Sequence, residues 1–182
     1  MKKFYQLNKF NVGDFYSLSD KMIVNQVISQ RDLSGCSMRN IHFLNCILDN
    51  TSFYSTKCEH LIFDRCILKS VNFNKSDLET CMFQNCELAG INFSRSILMD
   101  FNFINCKLLT INLSNAELSD ITFENSQLDN IWFLRSILYN VKNKGSSLKN
   151  IKVENVEMDK DVMTSNVKIN DLKSFLNEIN SI

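Results

Sequence analysis

Cysteine and histidine are the residues here with the strongest claim on chemistry, and the chain has seven of the first and two of the second. Cys46, Cys66, Cys86 and Cys106 recur every 20 residues. Thiolates at a fixed spacing could bind a soft metal or serve a redox relay. A metal site, however, needs ligands that converge from several directions, and no histidine joins this series. The series instead continues as Ser126 and Ser146, which marks a small side chain at an inward position. His42 and His60 come without a carboxylate–histidine–nucleophile arrangement, and there is no glycine-rich phosphate loop. The expectation is a protein that is not an enzyme, with no catalytic residues, no metal and no cofactor.

The same spacing of 20 leads to the elements that hold these residues. In FDRCILKSVNFNKSDLETCMFQNCEL (63–88), large apolar residues fall at every fifth position: Phe63, Leu68, Phe73, Leu78, Phe83 and Leu88. Five fits neither a helix nor a simple strand. Twenty-six such units run without insertion from RDLSG (31–35) to VEMDK (156–160). Their centres are twelve Leu, nine Phe, two Met, Val153, Cys58 and Asn143. The position two before each centre is apolar or small and the one between is mostly polar, which is local β alternation. The last two positions favour Asn, Asp, Ser and Gly, residues that tolerate turns. Each unit is thus a short strand and a corner.

Phe and Leu centres alternate, so the true period is ten. A three-sided coil of 15 would stack Phe on Leu, whereas a four-sided coil of 20 stacks like on like. The prediction is an all-β solenoid of about 6.5 square coils, roughly 30 Å long at the ordinary strand spacing. The absence of Pro agrees with continuous ladders. Open solenoid ends need covers. Residues 1–30 break the five-residue register and are expected to form an N-terminal cap or flap, ahead of the repeat at 31–165. At the other end 166–182 should hold a short helical cap. There Leu172, Phe175, Leu176 and Ile179 follow i, i+3, i+4, i+7. That apolar face could also make a homodimer.

Units such as SDLET, AELSD, INFSR and VNFNK resemble the pentapeptide-repeat family over about 130 of the 182 residues. This sequence departs from the family in using Cys and Ile more than Ala at the first position. The resemblance implies a right-handed quadrilateral β-helix. FQNCEL and FINCKL share the Phe-rich, Cys-containing look of the quinolone-resistance and microcin-immunity members. Those bind type II topoisomerases, and their acidic rods resemble duplex DNA. The resemblance therefore implies DNA mimicry, with DNA gyrase or topoisomerase IV as partner and antibiotic resistance as one outcome. A general protein-interaction scaffold is the other reading.

Charge sorted by wall bears on this choice. The chain carries 20 basic and 20 acidic residues and is neutral overall. The wall built from 56–60 and every twentieth residue after it, however, holds Glu59, Asp77, Glu79, Asp100, Glu117, Asp120, Glu157 and Asp159, against only Lys57 and Lys160. The wall before it holds Lys75, Arg95, Arg135 and Lys152 against Glu154. A single-sign face steers an oppositely charged partner. Leu44, Ile47, Ile62, Ile67, Met82, Ile104 and Leu109 point outward on two other walls. They are a candidate apolar interface, or else the seat of residues 1–30. Trp132 and Leu134, beside Arg135, form a smaller candidate hot spot. The corner column Asn45, Asn85, Asn105, Asn125 is a weaker candidate for lattice binding.

No run approaches a membrane span, the start MKKFYQLNKFNVGDFYS lacks a secretory h-region, and an odd number of Cys fits no disulfide framework. A soluble cytoplasmic protein with a protein partner, no membrane and no direct nucleic-acid contact is expected.

Overall fold

A computed structural model describes residues 4–5, 17–159, 167–169 and 172–180. It shows a right-handed quadrilateral β-helix of about seven turns with a short C-terminal helix. Between Ser17 and Asp159, strands 20 residues apart pair parallel and in register, as in Phe43↔Phe63, Phe63↔Phe83 and Phe103↔Phe123, whereas Val167–Ile169 runs antiparallel to Val156–Asp159. These ladders gather into one sheet of 12 strands and one of eight. The long strands Ser37–Leu44, Lys57–Asp64, Ile97–Ile104 and Glu117–Glu124 each run through a corner, so two adjoining walls belong to one sheet.

The corners have one local cause. Every fifth residue from Asp20 to Asn155 has a φ between 48° and 72°. This left-handed region costs an ordinary L-residue but little for Gly, Asn or Asp. Those three types occupy most of the corners, which is why the last repeat position looked turn-like.

The centres fill the rod. Phe43, Phe63, Phe83, Phe103 and Phe123 stack face to face with centroids 4.6–5.5 Å apart. Phe53, Phe73 and Phe93 form the facing stack at 4.8 and 5.1 Å. Offset stacking at this distance adds to the hydrophobic gain of burial. The Leu centres from Leu48 to Leu138 are buried as well.

The ends differ in detail from the sequence expectation. Residues 17–30 form strands Ser17–Val24 and Val27–Ser29, which pair with Ser37–Leu44 and Ile47–Asp49 in the same 20-residue register. They are a coil of the rod. In this coil the half-buried Lys21 and Gln26 stand where the later coils have Ile41 and Cys46, which makes the repeat harder to read there. Phe4 and Tyr5 stack in turn on Met22 and Ile23. At the far end the helix Leu172–Asn180 lies against Lys142–Lys144 and Lys152–Glu154. Phe175 meets Phe133 at 4.9 Å, and Phe175 and Ile179 are buried.

Candidate protein-binding walls

The cysteine column proves to be structural, with a more specific reason than size. Cys46, Cys66, Cys86 and Cys106 direct their thiols 3.3–3.4 Å from the carbonyls of Ile23, Phe43, Phe63 and Phe83. Ser126 donates to Phe103 in the same way, as Thr51 does to Ile28 and Ser76 to Phe53. Carbonyls turned inward at a corner need a donor, so the first repeat position selects a small side chain that carries one. All seven thiols are free and buried. Burial pushes Cys58 and Cys81 up to about 12, so neither is a ready thiolate nucleophile. His42 sits in the ladder between Met22 and Ile62. His60 stands at a corner, 3.4 Å from Glu59. Among the described residues, no group of three or more His, Cys, Asp or Glu could hold a metal ion.

The acids expected on one wall do stack on it. Lys57, Asp77, Ile97, Glu117, Ile137 and Glu157 follow one another in a single ladder column, and Arg39, Glu59, Glu79, Met99, Ser119, Tyr139 and Asp159 in a second. Asp100 and Asp120 stand at corners along one edge of this wall. Arg39 bonds Glu59 at 2.9 Å and holds its carboxyl below the usual range. Asp120 accepts from Asn140 at 2.6 Å and from Ser119 at 3.0 Å. Glu79, Asp100, Glu117 and Asp120 are exposed, while Glu59, Asp77 and Glu157 are half-exposed.

The sequence had no claim on two further residues of this wall. Ile97 and Met99 are 42% and 43% exposed in the middle of the acidic run. The signal was present in SILMD, the one unit between SDLET and AELSD without a charge at its outward strand positions.

The neighbouring wall carries its cations differently. Lys75 donates to the Tyr54 hydroxyl at 2.9 Å and lies 5.4 Å from that ring. Lys152 lies 5.2 Å from the Trp132 ring, whose Nε1 donates to Asn130. Both pairs are cation–π contacts. Lys75, Arg95 and Arg135 form one corner column bordering the acidic wall.

The outward apolar set is spread over two walls. Ile62 stacks on Met82, while Leu44 and Ile104 flank Asp64 and Gln84 in one column. Leu44, Ile62, Ile67, Met82, Ile104, Trp132 and Leu134 are half-buried by such neighbours, and only Ile47 and Leu109 are exposed. A hollow of about 170 Å³ opens over Ala89, lined by Ile67, Leu109, Lys69 and the ion-paired Glu87 and Lys107. Of the residues expected on a dimer face, Phe175 and Ile179 are buried on the chain's own rod and Leu176 is half-buried. The side chain of Leu172 and the structure of 6–16 lie outside the described residues. Among the described residues no helix is long and apolar enough to cross a membrane.

The full-length QnrB1 structure, a plasmid-mediated fluoroquinolone resistance protein, is 17% identical over 87% of this chain and 90% of its own, with a TM-score of 0.41. A pentapeptide repeat protein of the Arabidopsis thaliana thylakoid lumen is 15% identical over 94% and 82%, with a TM-score of 0.27. No curated protein matches the sequence. The model described as a pentapeptide repeat region matches residues 76–159, and the one described as pentapeptide repeats (8 copies) matches 32–69. With coils, corners and inward columns all in the same register, the chain belongs to the pentapeptide-repeat family.

Proposed function

We propose that this rod is a non-catalytic binding protein whose acidic wall docks on the DNA-binding surface of a type II topoisomerase, DNA gyrase or topoisomerase IV. The observation that carries the reading is the stacking of Asp77, Glu79, Asp100, Glu117 and Asp120 along one rigid wall of a chain with no net charge. A β-solenoid holds these carboxylates at fixed spacing, so little ordering entropy is lost on contact. A field of one sign speeds encounter with a cationic surface. Free thiols throughout the core fit a reducing compartment, and we place the protein in the cytoplasm.

The test is a gyrase supercoiling assay with and without a quinolone. Purified protein is expected to inhibit supercoiling or to rescue the enzyme from the drug. The Glu79→Lys, Asp100→Lys, Asp120→Lys triple variant should do neither. An effect that survives charge reversal removes the acidic wall from the mechanism, and no effect in either arm removes the topoisomerase.

A general scaffold is the second reading, favoured by Leu109 and Ile47 at 50% and 38% exposure on a different wall. It predicts that polar replacement of Leu109 and Ile47 weakens partner capture while the triple charge reversal does not.

A further inference from the structure

From Asp77 onward the acidic wall is built in alternating rungs. Its successive coils present Asp77 and Glu79, then Ile97 and Met99, then Glu117 and Ser119, then Ile137 and Tyr139, then Glu157. Acidic and apolar rungs thus take turns up the rod. Ile97 and Met99 are 42% and 43% exposed, and Ile137 and Tyr139 half-buried. A surface that imitated only the phosphates of DNA would have no use for apolar side chains in water. Apolar positions ringed by charge are the anatomy of a protein interface. Methionine, being unbranched and polarisable, adapts to the shape of what it meets.

We propose that these rungs receive a basic amphipathic helix of a partner protein, lying along the rod. The proposal rests on the reading of this wall as a docking surface and names what docks there. Spacing selects the helix. Adjacent rungs are about 4.8 Å apart, so like rungs recur about every 9.6 Å. Residues i and i+7 of a helix are about 10.5 Å apart along its axis, and i+3 and i+4 lie about 4.5–6 Å from i. An extended strand repeats its facing side chains about every 6.7 Å, out of step with both distances.

Aliphatic side chains at i and i+7 would therefore rest on Ile97/Met99 and on Ile137/Tyr139. Lys or Arg at i+3 and i+4 would meet Glu117 between them. The wall's two edges fix how the helix is rolled. Asp100 and Asp120 line one edge, while Lys75, Arg95 and Arg135 line the other. The helix must turn its more cationic flank toward the two aspartates. Apolar contact then supplies the desolvated centre, and charge supplies orientation and rate.

The test uses a labelled synthetic helical peptide of three heptads, about 20 residues. It has Leu at i, i+7 and i+14 and Lys at the intervening i+3 and i+4 positions. A companion peptide of equal charge has the leucines replaced by glutamine. By fluorescence anisotropy, the wild-type protein should bind the leucine peptide at least about tenfold more tightly than the companion. Ile97→Thr with Met99→Thr should remove that preference. Leu109→Gln, on another wall, should leave it intact, and all variants should match the wild-type circular-dichroism melt.

Equal affinity for the two peptides, or a preference that persists in Ile97→Thr, Met99→Thr, overturns the proposal. Supercoiling assays keep the two readings apart. If charge reversal abolishes the gyrase effect and Ile97→Thr, Met99→Thr retains it, the topoisomerase reading stands and the helix proposal falls. If leucine-selective binding occurs in a protein without effect on gyrase, the helix proposal stands and the topoisomerase reading falls.

Discussion

Thr80 shows how far the corner rule reaches into single residues. It is exposed, β-branched and held at φ 54°, where a branched Cβ crowds the backbone. Asparagine fills this position at twelve corners without that penalty. Thr80→Asn should therefore stabilise the protein by about 1 kcal/mol, read as a higher urea midpoint at constant m-value. The corner asparagines read as a lattice-binding column have the same backbone explanation.

The core thiols make a second prediction at this scale. Cys58 and Cys81 are raised in the folded state from 9.0 to about 12, first by desolvation. A group raised on folding contributes stability that is complete below its unfolded pKa. Stability should therefore be flat up to pH 9 and then fall toward pH 12, by up to ~1.4 kcal/mol per pH unit for each thiol. Cys58→Ala should make the alkaline slope shallower in pH-dependent chemical denaturation.

At the scale of elements, the C-terminal helix closes the rod. Phe175 lies on Phe133, and Asn143, which breaks the Phe column, donates to Asn180 at 2.7 Å and to the Ser146 carbonyl at 3.2 Å. Polar Asn thus stands where the stack stops, bonded to the last residue of the helix. Phe175→Ala should cost about 3 kcal/mol. In a solenoid, whose coils touch only their neighbours, the loss should appear as faster hydrogen exchange in the last coils. Since Phe175 and Ile179 are buried on their own rod, Phe175→Asp should lower the melting temperature and leave the mass unchanged by light scattering. A halved mass would instead assign the helix to a dimer.

For the whole molecule, the governing feature is charge sorted by wall within zero net charge. The field is local, because at physiological salt the Debye length is about 8 Å, less than two coils of the rod. Association through the acidic wall should therefore slow as salt is raised, with a smaller change in dissociation rate. Stopped-flow or biosensor kinetics at low and high salt check this, and an association rate insensitive to salt would argue against the wall.

The coil period, the square cross-section, the inward columns and the acidic wall were all legible in the sequence. The reason is that along most of the rod the ladders pair residue i with residue i+20, so spacing translates directly into position. Legibility failed where that rule lapses. The coil at 17–30 was hidden because Lys21 and Gln26 stand where the later coils carry the apolar Ile41 and Cys46. The donor role of Cys46 and Cys66 required knowing which carbonyls turn inward at the corners. Which outward residues remain open to solvent depended on side chains leaning on one another between coils, so that Ile62 is half-buried and Met99 exposed. The seat of the C-terminal helix follows from no repeat at all. Only the tertiary structure places Phe175 on Phe133, because that contact closes an end that the period by itself leaves open.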